Sequence, residues 1–522
     1  MTETGGPKLS RGERAARRAR QRRSRARSPF FRLPQEQPRS LLPPLEFLDP
    51  EQVEAIHQAS MTILEEVGLD FLDDEALDIL ARAGAKVDRE ARHAWLDRGL
   101  VMEAVSQAPS AFTWHARNPA RSLVIGGDAL AFAPNGGTVF VQDLDRGRRP
   151  GVLDDYATLV KLTQMCNLLH TAGEQLVVPH DVPVPLRHLE RLRLAVTLSD
   201  KALMEAAHGR VIPQDALAVA RLVFGGELPQ DGPVIGGVIN VNSPLRYDSR
   251  MLGGLISYAR AGQVTIITPF ILAGVMGPVT LAGALAQQNA EALAGIALTQ
   301  LVRPGAPVIY GGFTTNADLK SGAPAFGTPE GAWAAIVGGQ MARRYGLPYR
   351  GSGTLNSSKL PDAQAAYETA WSIWPSVLAH THFVLHAVGW LEAGLTVSLE
   401  KFLMDAENLA MFHRFLQGFP VDQESLALAS IQAVGPGGHH LGTPHTQARY
   451  ATAFYQPFLS DRQPFESWQE AGGLDAPRRA NRLWKTLLAQ YEPPPLDSGL
   501  EEALEAFIAR RRQELAGADL YG

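Results

Sequence analysis

The sequence predicts an α/β protein, a (β/α)8 TIM-type barrel with an N-terminal helical and β extension and C-terminal helices. Three observations point there. Seven short apolar runs begin near Leu168, Ala202, Val234, Val264, Pro307, Pro348 and His382, at intervals of 34, 32, 30, 43, 41 and 34 residues. Each interval holds a helical stretch, such as Asp248–Gly262 or Asn289–Val302, and its loops, which is the length of one βα unit. Runs such as Val264–Thr268 are continuously apolar rather than alternating, as in parallel strands covered by helices on both faces. The regular repetition favours a closed barrel over a doubly wound sheet. No GxGxxG fingerprint and no Gly-Lys dipeptide is present, so dinucleotide and P-loop readings lack support. The eighth strand is expected within Leu395–Met404 or around Gly435–His445.

The elements follow in order. Residues 1–44 are expected to be a disordered Arg-rich tail. Residues 1–40 carry 11 Arg and 1 Lys against 3 Glu, a net +9 within a chain of net −5. Such a run suits an anionic partner or a solvated tail. The acidic remainder continues no basic stripe, so the solvated tail is preferred and no nucleic-acid partner is expected. Residues 45–150 should form N-terminal helices and a small antiparallel β-element. Asp49-Pro50 supplies an N-cap and a first-turn proline, and Gly68 stops the first helix. A second helix spans about Asp74–Ala83. The runs SLVIGG, ALAFAP and TVFVQDL, separated by glycine-rich turns, read as hairpin strands. Residues 151–450 are assigned to the barrel and 451–522 to a C-terminal helical extension.

Composition narrows the class. With 45% hydrophobic and 20% charged residues the chain can bury a large core. The single Cys166 excludes a disulfide framework and a thiolate zinc site. No apolar segment follows the basic run, so no secretory signal is read, and a cytoplasmic setting is expected. Val264–Ala286 is 23 residues without a charge, but Pro269, Gly274, Gly277 and Pro278 interrupt it. It reads as a buried strand, loop and helix start rather than a membrane span. Arginine outnumbers lysine 41 to 8, so single arginines receive little weight.

In a barrel the chemistry lies at the carboxyl ends of the strands. Glu174 falls within an apolar run, where it is either functional or paired with an arginine. Asn240 and Asn242 alternate on one face before Ser243-Pro244, and Asn242 either contacts a ligand or caps its loop. His382, His386, Trp390 and Glu392 share one parity along HFVLHAVGWLE and would face one side of an extended strand. His380, His382 and His386 permit a metal-dependent barrel hydrolase, although such sites need further ligands. His386 with Trp390 as substrate contacts is preferred. GPGGHHLGTPHT, with His439, His440 and His445, should be an irregular loop over the barrel mouth or at a partner.

The stretches VINVNSPLRYD, GQVTIITPFILAGVMGPVTLAGALAQQNAEALAGIALTQLVRPGAPVIYGGFTTNADLKSGAPAFGTPE, LPDAQAAYE, HAVGWLEAGLTVSLEKFLMDAE and GPGGHHLGTPHT make the chain resemble the trimethylamine:corrinoid methyltransferase family, from about Leu45 to Leu496. The resemblance implies a (β/α) barrel that hands a substrate methyl group to a corrinoid (cobalamin) cobalt carried by a separate partner protein. This chain lacks a DxHxxG-type cobalamin loop of its own. Founding members carry pyrrolysine, whose position corresponds to Gly351–Lys359. Here that stretch, GSGTLNSSK, is made of standard residues, so no pyrrolysine is expected. The resemblance then implies a quaternary amine such as glycine betaine as methyl donor. A quaternary nitrogen leaves as a neutral tertiary amine and needs neither an activating adduct nor a general base. Aromatic faces at Phe140, Phe313 and Trp390 would hold the cation, and His386 or Asn242 a carboxylate. Glu174 completes the substrate-binding candidates. No residue is assigned to bond-breaking chemistry and none to a metal. A homo-oligomer and no membrane partner are also expected. The alternatives are the metal hydrolase and a non-catalytic quaternary-amine binder.

Overall fold

The computed structural model describes residues 29–520; the run Arg11–Arg27 lies outside the described residues. The architecture is mixed α/β. Seven parallel strands form its centre: β1 (Ala131–Phe132), β2 (Leu203–Met204), β3 (Ile235–Val241), β4 (Val264–Ala273), β5 (Val308–Gly311), β6 (Tyr349–Ser352) and β7 (Phe383–Leu385). They pair in the order β2-β3-β4-β5-β6-β7-β1. The far half of β4 also pairs with Phe313–Ala317. Between the two ends of this order runs the segment 168–172. The His170 N–H donates to the Phe132 carbonyl at 2.8 Å, and the Ala172 N–H to the Ala202 carbonyl at 2.9 Å.

Six of the seven expected runs contain a strand; the run from Leu168 makes only an isolated bridge, Thr171 to Ala202. Neither region expected to hold a further strand supplies one to the central sheet. Thr396–Ser398 joins a small outer sheet with Phe140–Asp143, and residues 399–416 are helical. The ALAFAP run, expected in an antiparallel element, instead lies parallel to β7. Strand neighbours in a sheet can be hundreds of residues apart, and periodicity along the chain does not reveal them. The other two runs do form antiparallel pairs, Phe112–Trp114 with Leu123–Ile125 and Phe140–Asp143 with Gly147–Pro150.

The strands divide two cores. Along β4, Val264 and Ile266 join an inner cluster with Trp114, Val238, Ile309 and Phe383, whereas Ile267 packs outward under the helices. Gly236 makes this inner packing possible: a Cβ there would lie 2.5 Å from the Trp114 ring. The helix Leu281–Val302 is buried on every side from Ala284 to Gln300. Its apolar circumference follows from a second layer, because the N-terminal helix Pro50–Thr62 lies across it. Ser60 Oγ donates to the Ala286 carbonyl and accepts from Asn289 Nδ2, both at 2.9 Å. Asp49 caps that N-terminal helix as expected, accepting from the Gln52 N–H at 2.9 Å. No helix among the described residues is long and apolar enough to cross a membrane.

Residues 29–44, expected to belong to the disordered tail, pack on the body. Phe30 is 1% exposed and meets Phe458 edge to face at 5.2 Å, and Pro38 accepts from the Leu130 N–H. The apolar side chains within this proline-rich stretch give it something to bury, which the arginine run lacks. The C-terminal helices Ala476–Ala489 and Ser498–Glu514 also lie against the body, the first through Trp484 Nε1, which donates to Glu400.

Candidate active site

β7 ends where the chain turns sharply. His386 adopts φ +57°, a left-handed conformation uncommon outside glycine. The strand therefore stops at Leu385, and Trp390–Leu391 belongs to the small outer sheet. The expected common face along His382–Glu392 does not exist. The turn nonetheless brings His386 and Trp390 together, with ring centroids 4.4 Å apart. Phe313 lies 5.4 Å from His386 and 6.1 Å from Trp390. Two rings that the sequence did not single out complete the group: Phe326, at 5.5 Å from Phe313 and 5.7 Å from Trp390, and Phe270, at 5.1 Å from Phe313. Gly394, at φ +92°, lets the Trp390 ring lie against the backbone, where a Cβ would come within 2.5 Å of it.

The stretch Gly351–Lys359 buttresses this cluster. Ser352 Oγ meets His386 Nδ1 at 3.2 Å, and Thr354 Oγ1 donates to the His386 carbonyl at 3.0 Å. Asn356 Nδ2 donates to the Trp390 carbonyl at 2.6 Å. Burial, and then the Arg350 charge, hold the His386 imidazole well below its ordinary pKa, so it is neutral at pH 7.

Arg350, passed over in the sequence, is the cation of the site. It is 1% exposed, and its guanidinium carbon lies 5.2 Å from the Phe313 centroid. Nη1 makes a long 3.4 Å hydrogen bond to the Gly312 carbonyl, and Nε has no partner among the described residues. Burial pushes its pKa down to about 10, which leaves it charged at neutral pH. Glu174 lies outside any strand, its carbonyl accepting from Tyr156 Oη at 2.7 Å. Its carboxyl is pushed up to about 8, by burial first and by the Glu205 carboxylate second, against the pull of Arg191 and Arg350.

The remaining candidates lie apart from the aromatic group. Asn242 is exposed and accepts from the Asp248 N–H at 3.2 Å, the loop-capping alternative. The Phe140 ring is covered by the Arg148 guanidinium at 3.5 Å, and Arg148 is paired with Glu392 at 2.7 Å. His382 accepts from the Tyr349 N–H at 2.9 Å and donates to the Gly127 carbonyl at 3.1 Å, and His380 reaches the Leu42 carbonyl. His382 has both ring nitrogens engaged, and no group of three His, Cys, Asp or Glu side chains among the described residues could hold a metal. The metal-hydrolase alternative has no ligand set here. Of GPGGHHLGTPHT, expected to be an irregular loop, residues 435–443 join the short helices Leu428–Val434 and Pro444–Arg449 in a mostly exposed region, and the last three residues, including His445, open the second helix.

The profile of the trimethylamine methyltransferase (MTTB) family matches residues 10–516. The chain belongs to this family. It is 41% identical over 476 residues to glycine betaine methyltransferase of Desulfitobacterium hafniense (strain Y51), covering 91% of this chain and 99% of that one. It is 30% identical over 468 residues to trimethylamine methyltransferase MttB of Desulfitobacterium hafniense (strain DSM 10664 / DCB-2), covering 89% and 93%. Among solved structures it matches the Methanosarcina barkeri monomethylamine methyltransferase (MtmB) with a TM-score of 0.48 and 10% identity, over 89% of each chain. Membership of the family makes the chain an amine methyltransferase.

Proposed function

We propose that this enzyme removes a methyl group from a quaternary ammonium carrying a carboxylate, glycine betaine being the simplest, and passes it to the cobalt of a separate corrinoid protein. The observation that carries the reading is the packed group of Phe313, Phe326, His386 and Trp390 around a neutral imidazole, with the buried Arg350 charge beside it. A trimethylammonium group offers no hydrogen-bond donor. Aromatic faces attract it through their quadrupoles, at roughly 0.5–2 kcal/mol each. Arg350 supplies the complementary charge for the carboxylate. A bare tertiary amine such as trimethylamine would leave that cation without a counterion.

We also infer that the strands close into a (β/α)8 barrel, the segment 168–172 being the eighth stave. The bonds from His170 to β1 and from Ala172 to Ala202 support closure. The aromatic group then stands at the carboxyl ends of the strands, where barrel enzymes place their chemistry.

The aromatic faces of Phe313 and Trp390 beside His386 form a lining that suits a substrate cation. A corrinoid would come with its own protein and approach the aromatic group from the carboxyl ends of the strands. When bound there, reduced cobalt supplies the nucleophile for the methyl carbon. The residues of this chain orient and desolvate the donor, an effect of positioning rather than of proton transfer. The departing tertiary amine is neutral and needs no proton, in keeping with an unprotonated His386.

A substrate panel tests this. The purified enzyme, supplied with a reduced corrinoid acceptor, is expected to demethylate glycine betaine, with cobalt absorbance as the readout, and to leave trimethylamine untouched. Faster turnover of trimethylamine than of glycine betaine would overturn the quaternary-amine reading.

A further inference from the structure

We propose that Asn135 is a substrate-positioning residue whose carboxamide holds the carboxylate end of the quaternary ammonium beside Trp390. This deepens the function proposed above and rests on it. The argument starts from β1. Ala131 and Ala133 pack into the inner cluster with Trp114 and Phe383, and the intervening Phe132 packs outward. Asn135 follows three residues after the carboxyl end of this strand.

Its chain neighbours bond on both sides to segments that hold candidate residues. The Ala133 N–H donates to the Val384 carbonyl at 2.9 Å, and the Ala387 N–H to the Ala133 carbonyl at 3.0 Å. On the opposite side the Gly137 N–H donates to the Gln175 carbonyl at 2.7 Å, and a Cβ on Gly173 would meet Pro134 at 3.0 Å. Asn135 thereby lies in the chain between a residue bonded to both sides of His386 and one bonded to Gln175, the neighbour of Glu174 in sequence. It is 2% exposed, and neither Nδ2 nor Oδ1 has a hydrogen-bond partner among the described residues. Buried amides are almost always paired, because an unmade hydrogen bond in the interior is costly. Trp390 Nε1, whose ring lies 4.4 Å from that of His386, is also buried without a partner among them.

Two N–H groups on Asn135 and one on the indole are thus left for an acceptor. A carboxylate accepts all of them, whereas the methyl groups of the same substrate accept none. The amide would read the anionic end while the ring faces take the cationic one. Cations without an acceptor group, such as tetramethylammonium, would leave the amide unsatisfied, which makes Asn135 a specificity determinant.

The test measures binding of glycine betaine and of tetramethylammonium to the full chain by calorimetry, for the wild type, Asn135→Ala and the size-matched Asn135→Leu. Glycine betaine affinity is expected to fall at least tenfold in both variants, with tetramethylammonium affinity within twofold of wild type. In turnover the loss should lie in KM rather than in kcat, and thermal unfolding should show both variants folded. Unchanged glycine betaine affinity in a folded variant overturns the Asn135 assignment alone, and so does an equal loss for both ligands. A wild type that binds neither ligand overturns the quaternary-ammonium reading and the Asn135 assignment with it.

Discussion

The central strands carry aromatic clusters at two levels, and the two differ in chemistry more than in shape. The inner cluster pairs Trp114 with Phe383 at 5.9 Å among Val238, Val264, Ile266 and Ile309. At the other end of β7 the group of Phe313, Phe326, His386 and Trp390 is as closely packed, but Arg350 and Glu174 accompany it. Each cluster needs a glycine to admit its tryptophan, Gly236 in one and Gly394 in the other. The two histidines flanking β7 differ in the same way. His382 has a partner on each ring nitrogen, whereas His386 sits at a left-handed backbone position on a single serine hydroxyl. Aromatic packing alone therefore does not mark a site. A buried charge beside the rings does, whereas an unpartnered indole N–H does not, because Trp114 Nε1 also lacks a partner among the described residues.

The strongest way to break this contrast is to remove the charge. Arg350→Met should cost about 2 kcal/mol or more of transition-state binding, some thirtyfold in kcat/KM for glycine betaine. A much smaller effect on a cation lacking a carboxylate is expected from the same assay. If both substrates suffer equally, Arg350 serves only to support Phe313.

A matched pair of ring deletions sharpens the comparison further. Trp390→Leu should raise KM for a quaternary ammonium by up to about thirtyfold, the worth of one or two aromatic faces, and, because the ring is buried, lower stability as well. Phe383→Leu should lower stability by about 1–2 kcal/mol through a packing defect while leaving KM alone. Chemical denaturation and steady-state kinetics on both variants decide it. Equal kinetic losses would erase the distinction between the clusters.

The smallest expected effect is a pH dependence. The Glu174 carboxyl is raised to about 8, so it is mostly protonated at neutral pH and ionises as pH rises through that value. The new negative charge beside the site should strengthen cation binding above about pH 8 by a few-fold. Its sign for stability is opposite. The folded state holds this proton more tightly than the unfolded chain does, so stability falls as pH rises from the ordinary value of 4.5 toward 8. Glu174→Gln should flatten both profiles. A binding curve that stays sloped in that variant would assign the titration elsewhere.

Much of the fold was legible along the chain. Each run from Ala202 to His382 holds a strand, because a βα repeat leaves a period that composition alone displays. The helix boundaries near Asp49 and Asp74 follow from local capping chemistry. Phe313, His386 and Trp390 were also legible, although the parity argument for the last two was unsound: a left-handed turn, not a shared strand face, unites them. Phe270 and Phe326 were missed because an aromatic residue in an apolar sequence carries no label for its side of the strand. Arg350 was missed because arginine abundance discounted every arginine. A lone arginine between Tyr349 and Gly351 in an apolar strand was the signal available.

The amino-acid order by itself determined the repeating strand and helix units, their caps and the standard residues at Gly351–Lys359, since all of these depend on neighbours within a few turns of chain. Tertiary structure alone decided which strand stands next to which, and so which side chains meet. Ala131–Phe132 became the neighbour of β7, and the segment that follows it came to bond both Ala387 and Gln175. The physical reason is that sheet hydrogen bonds and desolvation act between segments far apart in sequence. The charge state of Arg350, Glu174 and His386 is likewise a property of burial, which no residue possesses until the chain has folded around it.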